Sequence, residues 1–166
     1  MSELSLQEIR ESVRLRDVRD EDLELFFRHM QDRGAVFMAA FTHEDPSDRN
    51  DFDSHWAKMR ANPTVLNRTI LVGDEVAGTI GSFNLEGERE VSYWLGREFW
   101  GRGVATRALE LFLEEETTRP LQGHVAHDNV GSIRVMEKCG FIKTGEGPWF
   151  AHARKEKILE FVMTLK

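Results

Sequence analysis

At 166 residues, 40% hydrophobic and 31% charged, with no low-complexity tract, the chain has the size and composition of one globular domain that buries its core without staples. A formal net charge of −7 argues against a general nucleic-acid or anionic-membrane surface, and no apolar run approaches the ~20 residues of a bilayer span. One cysteine, Cys139, excludes an intrachain disulfide, and the first residues lack the basic-then-apolar order of a signal peptide. The expectation is a cytoplasmic protein, monomer or homodimer, with no nucleic-acid and no membrane partner.

Met1 to Ser12 reads as a loose arm or short extra helix ahead of a single domain from Val13 to Lys166. Val13-Arg14-Leu15-Arg16 alternates with period two and predicts a first strand. Asp20 is a good N-cap, and Leu23, Phe26, Phe27 and Met30 then recur at helical spacing up to a stop near Gly34. Ala35 to Phe41 is apolar without a clear period, a short helix or a pocket-lining loop. Asp45-Pro46 reads as the start of a second helix with Phe52, Trp56 and Met59 buried, stopped by Asn62-Pro63. Three strands follow, Leu66 to Val72, Val76 to Leu85 and Glu90 to Leu95, joined by short turns and therefore antiparallel. Gly78 and Gly81 in the second suggest a bulge or a close backbone approach.

Gly103 to about Glu116 is an amphipathic helix, and Leu121 to Ala126 a strand parallel to the one before that helix. Asp128-Asn129 caps a further helix that stops at Gly140. Phe141 to Gly145 is a strand, Gly147-Pro148 a turn, and Lys157 to Thr164 the last strand. This order is that of a mixed α/β sheet with the crossover from Gly101 to Ala126 at its centre.

That crossover begins with Ser92-Tyr93-Trp94-Leu95-Gly96 and the turn Trp100-Gly101-Arg102-Gly103. Backbone N–H groups at a helix start lack intrahelical partners and sit at the positive end of the dipole, and glycines let a large anion reach them. The P-loop pattern fails for want of a Gly-Lys-Ser/Thr. A dinucleotide fingerprint fits only in part: Asp128 stands near the ribose-acid position, but Thr106 replaces the third glycine and too little chain follows.

The turn instead resembles the GNAT superfamily of acyl-CoA-dependent N-acetyltransferases, whose signature is (Arg/Gln)-x-x-Gly-x-(Gly/Ala). Gly103 and Ala105 match, with Trp100 in place of the first residue. Tyr-Trp-Leu before the turn, Asn129-Val130-Gly131-Ser132 and Glu137-Lys138-Cys139-Gly140-Phe141 are similar to the branch of ribosomal-protein alanine N-acetyltransferases. The resemblance implies a mixed, mostly antiparallel sheet of six to seven strands flanked by about four helices, with a splayed parallel pair at its centre. It also implies acetyl-CoA as acyl-donor cosubstrate, a primary amine as acceptor (a protein N-terminus or a small molecule), and direct transfer in a ternary complex.

Carried onto this chain, the resemblance gives the pyrophosphate to the amides of Trp100, Gly101, Arg102, Gly103, Val104, Ala105 and Thr106, with positive charge from Arg102 and Arg107. Pantetheine would pair with the backbone of Trp94 and Leu95, opposite Asn129, and a backbone N–H near Leu95 would stabilise the oxyanion. Glu90 is the expected base, with Glu88 and Glu146 as fallbacks. Where many members carry an acidic Tyr, this chain has Met136, so the leaving thiolate falls to Ser132, as in the ribosomal-protein-like branch. Tyr93, in a strand, is not an obvious replacement. The acceptor pocket is expected from the two N-terminal helices, the segment from Ala35 to Phe41 and the turn from Gly147 to Phe150. His124 and His127 lack a third ligand and a common strand face, so no metal is expected, and Cys139 is read as a structural thiol. The alternative reading is a non-catalytic acyl-CoA-binding sensor or partner module.

Overall fold

The computed structural model describes residues 3–166, so Met1 and Ser2 of the expected arm lie outside the described residues. The rest of that arm is helix α1 (Leu6–Ser12), opened by a capping box in which the Ser5 and Glu8 side chains each accept the other's backbone N–H. Its Ile9 enters the main core, and Arg10 reaches Glu110 at 2.5 Å.

Strand β1 (Val13–Arg16) leads to α2 (Asp20–His29). The pair is locked by Asp22, which is 1% exposed and accepts both guanidinium nitrogens of Arg16 (2.6 and 2.9 Å), the Arg19 N–H and the Thr69 hydroxyl. Burial alone would raise this carboxyl, but these donors hold it below the usual range.

Helix α2 opens at Asp20 with Arg19 as its N-cap, and it stops at His29, earlier than the expected Gly34. Asp32 caps a separate helix, α3 (Arg33–Ala39), by accepting the Ala35 N–H at 3.1 Å. A second shift occurs at α4 (Arg49–Ala61), which is capped by Asp48. Asp45, expected in that place, spends its side chain on a turn with Ser47.

The sheet is built of β1, β2 (Leu66–Val72), β3 (Glu75–Leu85), β4 (Glu88–Leu95), β5 (Leu121–Ala126), β6 (Ile142–Ala151) and β7 (Glu156–Leu165), in the order β1-β2-β3-β4-β5-β7-β6. All neighbours are antiparallel except β4 and β5, whose parallel pairing covers only Arg89↔Leu121 and Glu90↔Gln122. Beyond Glu90 the two strands part. On the other side β4 stays paired with β3 to its end at Leu95. A register shift at Ile70/Leu71 marks a bulge, and a Cβ at Gly78 would run into the Trp94 carbonyl oxygen, so the backbones approach there as the glycine implies.

Helix α5 (Val104–Glu115) makes the crossover from β4 to β5, and helix α6 (Val130–Lys138) follows β5; with α1 the described helices number six rather than about four. They cover one face with α1, burying Val104, Ala108, Leu109, Phe112 and Met136 against Ile80, Val91, Leu121 and Val125. The helices α2 and α4 pack as a separate cluster around Phe26, Phe52 and Trp56. Pro148 lies inside β6 and not in a turn; the chain reverses at residues 152–155. Strand β6 is the sheet edge, where a residue without an N–H is tolerated. Among the described residues no helix is long and apolar enough to cross a membrane.

Candidate active site

The parting of β4 and β5 opens a cavity of about 630 Å³, bounded by the end of β4, the glycine turn, the first turn of α5, one face of α6 and helix α3. At the turn, Gly101 and Gly103 have φ of +71° and +78°, and nothing stands within 4 Å of where their side chains would begin. Helix α5 has no side-chain cap and no acid in its first turn. Its leading amides therefore keep their hydrogen-bonding capacity and the positive end of the dipole for a ligand.

The cations facing this cavity are Arg134 and Lys138, which sit four residues apart on one face of α6. Arg102 is exposed and outside the lining. Arg107 donates to Glu110 at 3.2 Å, sharing that carboxylate with Arg10.

At the end of β4 the backbone directions follow from strand alternation. The Gly96 N–H donates to Ala77 O at 2.9 Å and the Trp94 carbonyl faces Gly78, so both turn toward β3. The backbone of Leu95 turns the other way, into the space β5 has left, where its carbonyl accepts the Trp100 indole N–H at 3.2 Å. Trp94 belongs to the cavity wall, while its indole N–H is buried without a partner among the described residues. Open glycines and uncapped amides beside this backbone fit a long ligand that carries phosphate oxygens.

Across the cavity, Asn129 caps α6 by accepting the Ser132 N–H at 3.3 Å. The Ser132 hydroxyl meets the Tyr93 hydroxyl at 2.8 Å, and both residues line the cavity. Burial pushes the Tyr93 phenol up to about 12. From the sequence Tyr93 is a strand aromatic and not an obvious replacement for the missing acid, so its place beside Ser132 comes from the fold. The residues are 39 apart in the chain, and only the crossover brings them together.

Glu90 is 4% exposed and does not line the cavity. It sits where β4 and β5 part, accepting from His124 Nε2 at 3.0 Å, while His124 Nδ1 donates to Glu160 at 2.8 Å. Hydrogen bonds to Glu160 and Glu90 outweigh burial and push His124 up to about 10, so at neutral pH it is an imidazolium between two carboxylates. His127 contacts the Leu159 carbonyl at 3.1 Å. Glu88 is exposed, and Glu146 pairs with Lys143 at 3.4 Å. Met136 is buried against Gly123 in the core. The Cys139 thiol is half-buried, is pushed up to about 11 by desolvation, and donates to the Thr106 carbonyl oxygen.

Helix α3 contributes Ala35, Met38 and Ala39 to the wall. It is held at both ends by guanidinium groups. Arg97 forks onto Asp32 at 2.6 and 2.8 Å. Arg154 donates to Phe37 O at 2.9 Å and forks onto Asp128 at 2.6 and 2.8 Å. Asp128, the residue at the ribose-acid position of a dinucleotide fingerprint, is thereby engaged by Arg154. Residues 147–150 of β6 are not part of the cavity wall.

A family model described as an acetyltransferase (GNAT) domain matches residues 12–142. The uncharacterized N-acetyltransferase p20 of Bacillus licheniformis is 27% identical over 146 residues, 81% of this chain and 82% of its own. Two solved structures share the fold with TM-scores of 0.77. RimJ of Mycobacterium smegmatis in complex with CoA-disulfide is 21% identical, covering 92% of this chain and 81% of that one. Spermidine N-acetyltransferase of Vibrio cholerae in complex with CoA and spermine is 17% identical, covering 93% and 95%.

Proposed function

The chain belongs to the GNAT acetyltransferase family and is an acetyl-CoA-dependent N-acetyltransferase, and on that premise we propose that it acetylates a primary amine by direct attack within a ternary complex. The acceptor is a protein N-terminus or a small-molecule amine; the polyamine held with CoA by the Vibrio cholerae neighbour supports the amine class. The observation that carries the proposal is the opening between β4 and β5, which turns the Leu95 backbone toward a cavity ending at uncapped helix amides.

In this reading the amides from Trp100 to Thr106 bind the pyrophosphate, with positive charge from Arg134 and Lys138 in place of Arg102 and Arg107. The Leu95 backbone orients the pantetheine arm opposite Asn129, and the Leu95 N–H stabilises negative charge on the thioester oxygen during attack. Ser132 stands at the leaving sulfur. Glu90 takes the acceptor's proton through water. Two carboxylates around one imidazolium leave this end of the opening net negative, which favours approach of an ammonium.

A panel of polyamines, amino acids and N-terminal peptides, read by thiol release from acetyl-CoA, tests the acceptor class. One class is expected to saturate. Intersecting initial-velocity lines are expected for a ternary complex; parallel lines would replace direct attack with an acyl-enzyme.

A further inference from the structure

We propose that Tyr93 is a positioning residue that aims the Ser132 hydroxyl proton at the thioester sulfur. The inference rests on reading the cavity as the acetyl-CoA site and adds a residue to it that neither the turn nor the helix motifs contain.

Two hydroxyl groups 2.8 Å apart share one hydrogen bond, and one of them must donate. A phenol is the stronger acid and the better donor, whereas an aliphatic hydroxyl accepts well. The Tyr93 ring reaches from β4 to α6, and Ser132 is its one hydrogen-bond partner among the described residues. With Tyr93 donating, the Ser132 oxygen is the acceptor, and its own proton is excluded from the direction of the phenol. That proton is then left to turn into the cavity that both residues line. Without Tyr93 that rotor is free to turn back onto the carbonyl one helical turn earlier, as helix serines do. A phenol pushed up to about 12 by burial stays protonated, and so remains a donor, across the whole working range. Met136 points into the core and offers no competing donor.

The step balances without either hydroxyl losing its proton. The acceptor nitrogen's lone pair forms the N–C bond, and the C–S bond breaks with its electron pair on sulfur. The nitrogen sheds its surplus proton to the base, and that proton finally neutralises the thiolate. Ser132 donates a hydrogen bond to the sulfur throughout, stabilising the charge that grows there, and Tyr93 holds it in that direction.

The test is the ionisation of the thiol of bound CoA, followed by the ultraviolet absorbance of the thiolate, in the wild type, Tyr93→Phe, Ser132→Ala and the double variant. Ser132→Ala is expected to weaken the bound thiol's acidity by about tenfold and Tyr93→Phe by a smaller factor, with the double variant equal to Ser132→Ala. In turnover, Tyr93→Phe is expected to lower kcat about threefold, less than Ser132→Ala does, with the KM for acetyl-CoA within about twofold. Thiol ionisation unchanged in Tyr93→Phe overturns the proposal, since a packing role for the ring would not move it. A larger effect from Tyr93→Phe than from Ser132→Ala overturns it too, because Tyr93 would then face the sulfur itself. Failure of CoA to bind any form overturns the reading of the cavity and this inference with it.

Discussion

His124 shows how one side chain can be placed by charge alone. A histidine near the end of a strand, beside a second histidine and an aspartate, invites a metal-site reading. Its two ring nitrogens are instead occupied by Glu90 and Glu160, both buried. Hydrogen bonds to Glu160 and Glu90 push the ring from its ordinary 6.5 up to about 10. A group whose pKa is raised on folding stabilises the native state fully below its unfolded value and loses that stabilisation as pH rises through the folded one. Thermal unfolding of the wild type should therefore hold its midpoint relative to His124→Gln below about pH 6.5 and lose that advantage progressively between about pH 6.5 and 10. Parallel midpoint curves for the two proteins across that window would remove the imidazolium from the account. The same cluster bears on Glu90: a carboxylate already accepting from an imidazolium reaches the acceptor's proton only through water, so its role as base depends on what fills the space beyond residue 90.

At the scale of elements, α3 decides the shape of the site. Its seven residues carry no strong period in sequence, and nothing local says that they roof a cavity. What fixes them is remote: Asp32 meets Arg97 before the glycine turn, and the Phe37 carbonyl meets Arg154 from the β6–β7 turn. The Arg154 side chain is 6% exposed and its fork on Asp128 also steadies the start of α6 next to Asn129. Arg154→Ala should release α3 and the α6 cap together, raising the KM for acetyl-CoA about tenfold while the fold persists, as seen by an unchanged far-ultraviolet circular dichroism spectrum. Arg154→Lys should recover little, since a single ammonium cannot replace a planar fork that reaches both carboxylate oxygens and a carbonyl. The elements that were legible are those whose signal is local. The glycine turn, the strand before it and the Asn129 cap are readable because strand alternation, open φ and capping are short-range. The course of β6 through Pro148 was not, because whether a proline sits on an outer edge depends on strand order. Nor was the α4 cap, where Asp45 and Asp48 compete and only the Ser47 turn decides between them. Arg134 and Lys138 had a readable sign, the helical spacing of cations on the face that begins at Val130, but no sequence rule says which face of α6 meets the turn.

For the molecule as a whole, the tension is between a net charge of −7 and a polyanionic donor. Local geometry resolves it, since uncapped amides of α5 and the cations of α6 act within a few ångströms, where screening is weak. The field that reaches further out belongs to the remaining acidic surface, and that field acts on the acceptor as it approaches. With a screening length of about 10 Å at 0.1 M salt, such steering is strong at low ionic strength and fades as salt is added. At saturating acetyl-CoA, kcat/KM for a polycationic acceptor should fall about tenfold between roughly 20 and 300 mM KCl, and that of a monoamine only about twofold. Thiol release measured along the salt series separates the two. Equal responses of both acceptors would mean that the long-range field plays no part, and that whatever selects the acceptor is confined to contacts inside the opening between β4 and β5.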